Sequence, residues 1–156
     1  ARITGRFKGF GTASVGFGAP LELSKFALTA DGDLTEAVGE ELMERIKRVI
    51  PVLSGPLVSY VLAFRGAKTR DAVLEDVTRI VAALKESNLP TPRRTPEALV
   101  DDTLERFAQR GLLTMIDGQI SISDNGADTI AYYGNSIEHH FEGDAMLRLQ
   151  GNLITK

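Results

Sequence analysis

Residues 57–64, Leu-Val-Ser-Tyr-Val-Leu-Ala-Phe, constrain the fold more than any other part of the chain. At helical spacing they leave almost no polar face, and such a helix has to be enclosed by other elements. Ser54-Gly55-Pro56 opens this helix and Gly66 is placed to stop it. The longest uncharged run, 49–64, has 16 residues and is broken by Pro51, Gly55 and Pro56. A helix that spans a bilayer needs roughly 20 apolar residues, so this one belongs inside a protein body. Peripheral membrane contact stays open, because a short apolar surface can dip into the headgroup region.

A chain of 156 residues is long enough to build a core around that helix. Hydrophobic residues at 43% and charged residues at 25% exclude a disordered or collagen-like chain. Eighteen bases against 21 acids give a net charge of −3, which argues against a generic polyanion binder. The absence of cysteine excludes disulfides, thiolate metal sites and cysteine nucleophiles together. The first residue is alanine and no charged-then-apolar leader follows, as expected of a chain that starts inside a longer protein.

The first 30 residues differ from the rest. Five glycines fall within residues 5–18, and Arg2, Arg6, Lys8 and Lys25 face the single acid Glu22. Residues 12–23 (TASVGFGAPLEL) read as a strand that Pro20 stops. A lone strand is unstable, so this one is expected to complete a sheet lying earlier in the parent protein. From Asp33 onward the period becomes helical. Asp33 and Glu36 have capping-box spacing, and Val38, Leu42, Ile46 and Val49 form an apolar stripe ended by Pro51. After the apolar helix, a third helix starts near Thr69 and carries Val73, Val77, Ile80, Val81 and Leu84 on one side. Thr95-Pro96 starts a fourth, with Val100, Leu104 and Phe107 inward and Gly111 at its end. Leu112–Ile116 and Gln119–Ser123 flank Asp117-Gly118, a strong hairpin signal. Asp124 caps a last helix with Ile130, Tyr133, Ile137 and Phe141 at helical spacing. The fold class is therefore α+β, mainly α. The stripes of the 35–49 and 73–84 helices should cover the apolar helix, and Tyr133 and Ile137 should close the body from the C-terminal side.

Helix, helix, hairpin from Thr69 to Ser123 is the order of a winged-helix module. Its candidate recognition helix carries Glu97, Asp101, Asp102 and Glu105 against Arg106 and Arg110, and residues 111–147 hold six acids and no lysine or arginine. Phosphate repulsion argues against DNA, so no nucleic-acid partner is expected. Gly9-Phe10-Gly11 lacks the third glycine of a dinucleotide fingerprint, and no P-loop lysine follows a glycine loop. His139 and His140 are the only histidines. Adjacent histidines point to different sides of a helix and do not share a metal readily. His139 and Asp144 have the histidine-four-residues-aspartate spacing of an acyltransferase base and its orienting carboxylate, but the pair straddles Gly143, a helix stop, and is read as a decoy. No metal or cofactor is expected.

Three stretches together are similar to bacterial membrane-bound glycerol-3-phosphate acyltransferases. Val15-Gly16-Phe17-Gly18-Ala19-Pro20-Leu21 resembles the valine-x-phenylalanine-glycine-glutamate-proline strand after the last catalytic block, with Ala19 in place of glutamate. Arg45-Ile46-Lys47-Arg48-Val49-Ile50-Pro51-Val52, leading into Leu57-Val58, is similar to the helix-to-helix junction that follows. Tyr132-Tyr133-Gly134-Asn135-Ser136-Ile137-Glu138-His139 resembles a tyrosine-arginine-asparagine-asparagine-x-x-histidine signature, with Gly134 for the arginine and Ser136 for the second asparagine. Order and spacing agree over residues 11–141.

The resemblance implies a parent enzyme that transfers a fatty acyl group from a thioester, acyl-CoA or acyl carrier protein, to glycerol 3-phosphate or 1-acylglycerol 3-phosphate. It also implies that the catalytic histidine and aspartate and the phosphate-binding blocks precede Gly11, so no catalytic residue is expected in this chain. Phe17, Gly18, Pro20, Tyr132, Tyr133, Asn135 and His139 are then structural signature residues. Residues 1–34 would end an acyltransferase α/β domain, 35–143 would form a C-terminal helical domain with a hairpin at 112–123, and 144–156 a tail. The parent would sit peripherally on the cytoplasmic face of the bacterial inner membrane. The alternative reading is a stand-alone winged-helix-like interaction module without enzymatic activity.

Overall fold

The computed structural model describes residues 14–141. The element order is α1 (Leu23–Phe26), α2 (Leu34–Val49), α3 (Ser54–Phe64), α4 (Arg70–Glu86), α5 (Pro96–Gln109), β1 (Leu113–Ile116), β2 (Gln119–Ile122) and α6 (Asp124–Asn135), followed by a 3₁₀ turn at Glu138–His140. Local chemistry explains most of the starts. The Asp33 carboxylate accepts from the Thr35 and Glu36 backbone N–H groups, and the Thr69 and Thr95 hydroxyls accept from Ala72 N–H and Ala98 N–H. Each satisfies a donor that the first helical turn leaves open. At the hairpin Asp117 and Gly118 both take positive φ, 49° and 76°. Those values give the turn whose twist matches the flanking strands. The register pairs Leu113 with Ile122 and Ile116 with Gln119.

Helix α3 is the centre of the core, as its composition requires. Leu57, Val58 and Val61 are fully buried, and α4, α5 and α6 pack around them. From α4 come Val77 and Ile80, from α5 Val100 and Leu104, and from α6 Ile130. The hairpin is stitched to the residues that open α4: Ile120 N–H donates to Lys68 O (2.8 Å) and Arg70 N–H to Gly118 O (3.0 Å). An Arg70–Asp101 bidentate pair then ties α4 to α5. The helix-helix-hairpin unit is thus held by main-chain bonds as well as by apolar contact.

Three expectations need correction. First, α2 does not cover α3. No α2 residue is buried, and Leu34, Leu42, Met43 and Ile46 are 42–54% exposed. The chain bends by 95° between α2 and α3, which swings α2 off the body, and α6 occupies the position expected for it. Second, the last helix does not run on to Phe141. It ends at Asn135, where the backbone tightens to Ile137 N–H···O Gly134 (3.2 Å), and Ile137 and Phe141 are buried from the irregular turn beyond. Third, Tyr133 only partly closes the body, being half-buried, with the Arg110 guanidinium 6.0 Å from its ring centre.

Residues 14–22 form neither helix nor paired strand, and Leu23 already belongs to α1. The sheet of the described residues is the β1–β2 hairpin, and residues 14–22 do not pair with it. Residues 12 and 13, the earlier glycines, Asp144 and the tail lie outside the described residues.

Candidate functional site

The three resemblance stretches, separate in sequence, meet around the C-terminal end of α2. The first lies against α2 through its glycines. A Cβ on Gly16 would overlap the Val49 carbonyl, and one on Gly18 would touch Val49 Cγ1 at 3.5 Å. Arg45 holds the segment from the other side. Its Nη1 donates to the carbonyls of Ala19 (3.1 Å) and Pro20 (3.0 Å), while its Nε pairs with Glu41 (2.7 Å). Gly16 and Gly18 alternate with Val15 and Phe17, so the apolar side chains turn outward. Phe17 is 91% exposed, Val15 75%, and Pro20 is exposed beside them.

His140, the residue that follows the third stretch, joins it to the second. Its ring is buried, and Nε2 lies 3.0 Å from the carbonyl oxygen of Ile50 in the α2–α3 junction. A carbonyl only accepts, so Nε2 carries the hydrogen. Burial, and after it the neighbouring His139, holds this ring below its ordinary pKa, against the opposing effect of the Ile50 bond. His139 packs its ring 4.0 Å from that of His140, and its Nε2 is enclosed with no hydrogen-bond partner. Its expected companion, Asp144, lies outside the described residues. No carboxylate of the described residues is bonded to either ring.

Signature residues on α6 divide by face. Tyr132 and Asn135 are exposed, while Gly134 faces α3. A Cβ on Gly134 would come within 2.8 Å of Phe64 Cε2 and 3.1 Å of the Tyr60 Cα. Glycine here serves close helix approach, and the long side chain that the resemblance places at this position has no room. Tyr60 then stacks on Phe141, ring centres 4.3 Å apart, which pulls the chain beyond α6 back over α3. The carbonyl of Tyr133 accepts from Ser136, from its Oγ at 2.7 Å and its N–H at 3.3 Å.

Sequence reasoning missed His140 and Arg45. His140 had a signal: Ile137, His140 and Phe141 stand at i, i+3 and i+4, the spacing of one helical face. Arg45 had none, since its partners are main-chain carbonyls 25 and 26 residues away.

Chemically the junction is a structural clasp. Among the described residues no group of three or more histidine, aspartate or glutamate side chains could hold a metal ion. No single helix among them is long and apolar enough to cross a membrane. Two of the four acids of α5 are paired at the surface, Asp101 with Arg70 and Asp102 with Arg94. No curated protein and no solved structure matches the chain. The family model for the glycerol-3-phosphate acyltransferase C-terminal region matches residues 3–149, a span that contains all three stretches and the clasp they build. The chain belongs to that family.

Proposed function

We propose that the chain is the accessory C-terminal part of a glycerol-3-phosphate or 1-acylglycerol-3-phosphate O-acyltransferase of bacterial phospholipid biosynthesis, and that it carries no catalytic group of its own. The family match over residues 3–149 is the observation that carries this reading. The parent takes an acyl group from acyl-CoA or acyl carrier protein and works peripherally at the cytoplasmic face of the inner membrane. Within it, residues 1–34 end the catalytic α/β domain, 35–143 form the helical domain, and 144–156 are a tail. The histidine arrangement supports a structural role. A general base needs an accessible nitrogen near the acceptor hydroxyl. Here the His140 Nε2 is committed to Ile50 and the His139 Nε2 is enclosed.

Thioester consumption with glycerol 3-phosphate and a long-chain acyl donor tests the reading. The full-length parent should turn over, and the 156-residue chain alone should leave the thioester intact. Turnover by the isolated chain that His139→Ala abolishes would overturn it.

A further inference from the structure

We propose that the bare apolar face of α2 is the surface on which the catalytic part of the same polypeptide seats, with the segment 14–22 leading from one to the other. This rests on the reading of the chain as the C-terminal region of an acyltransferase. Leu34, Leu42 and Ile46 occupy one side of α2, Met43 its margin, and all four remain substantially exposed. Phe17 and Val15 extend the exposed apolar surface onto the neighbouring segment. Exposed apolar side chains gathered on one helix face mark an interaction site.

The path of the chain selects the occupant. Residues 16–20 are pinned to the C-terminal half of α2 by the Arg45 bonds and the glycine contacts with Val49. On the proposed reading the catalytic part lies earlier in the chain, and these contacts tether it to α2. Such a tether gives effective concentrations of order mM, enough to saturate even a weak contact.

Charge argues against the bilayer as occupant. A helix that lies in a membrane surface is rich in lysine and arginine on its polar face. Here Glu36, Glu40, Glu41 and Glu44 face Arg45, Lys47 and Arg48, and two of those bases are already paired, Arg45 with Glu41 and Lys47 with Glu44. Little positive charge is left to meet anionic headgroups.

The test uses the full-length parent in a cysteine-free background, with single substitutions Leu42→Cys and Ile46→Cys on the apolar face and Glu40→Cys on the opposite face as the reference. Maleimide labelling is timed in detergent-free buffer, at two protein concentrations, with and without vesicles of phosphatidylethanolamine and phosphatidylglycerol. Labelling at Leu42→Cys and Ile46→Cys should be at least about tenfold slower than at Glu40→Cys under every condition, as for a face covered within the polypeptide. Equal rates overturn the proposal. So does protection that needs vesicles, which assigns the face to the bilayer, or protection that grows with protein concentration, which assigns it to a second copy. Acyl transfer measured on the same preparations separates the two readings. An active enzyme with an unprotected face refutes the docking surface alone, and a protected face in a protein without acyl transfer refutes the assigned activity alone.

Discussion

Replacing Gly134 by alanine sets two effects against each other, and the structure decides the sign. In an ordinary helix interior alanine is the better former by about 1 kcal/mol. Here the new methyl group would press on Phe64 Cε2 at 2.8 Å and on the Tyr60 Cα and N at 3.1 and 3.2 Å. Phe64 is half-exposed and its ring can swing away at small cost. The Tyr60 backbone lies inside the core helix and cannot, so α3 and α6 must part by a few tenths of an ångström along their contact. Overpacking of this kind costs about 1–3 kcal/mol, which against the alanine gain leaves a net destabilisation of up to about 2 kcal/mol. Urea unfolding of the 156-residue chain should show a midpoint lowered by up to about 1 M at unchanged slope. Gly39→Ala is the control: its new methyl meets nothing within 4 Å, so stability should hold or rise. If Gly134→Ala unfolds at or above the wild-type midpoint, the close approach of the two helices is not what requires glycine there.

The other core substitutions should rank by burial. Leu57→Ala, at a fully buried position, should cost about 2–5 kcal/mol, and Tyr133→Ala, at a half-exposed one, about 1–2 kcal/mol in the same unfolding assay. Stability should fall as pH drops below about 6.5, because the unfolded chain protonates the His140 ring while the native chain keeps it neutral until its own lower pKa is reached. His140→Gln keeps a donor for Ile50 and should flatten that slope; an unchanged slope in urea midpoints between about pH 7 and pH 5 would assign it to other groups. Fluorescence anisotropy with duplex DNA should register no tight, salt-sensitive binding at physiological ionic strength, since the hairpin region is acidic and the α5 face carries four acids against two arginines.

What the sequence reveals is what is local. Asp33, Thr69 and Thr95 announce helix starts because a cap acts over three residues, and Asp117-Gly118 announces the hairpin because the turn needs two positive φ values. The apolar run of α3 announces a centre because no other place accepts it. The α2 stripe is different. Its periodicity says that one face is apolar, and nothing in the spacing says which body covers that face. The clasp was illegible for a related reason: His140 and Ile50 are 90 residues apart, and their bond depends on how α6 ends. That ending turns on Gly134 and Ser136, one fitting α3 and one closing a carbonyl, whereas the apolar spacing through Phe141 suggested uninterrupted helix.

The place of α3 between early and late partners also matters while the chain is being made. Helices α4 and α5 follow it directly, but α6 begins 60 residues after Phe64. At about 5–20 residues per second, a ribosome takes roughly 3–12 s to synthesise that interval. Throughout it the side of α3 that receives Gly134, with Tyr60 and Phe64, has no cover of its own. The nascent chain spends those seconds as a ligand for chaperones that bind apolar segments, and a message cut short between α5 and α6 encodes a product that never leaves that state.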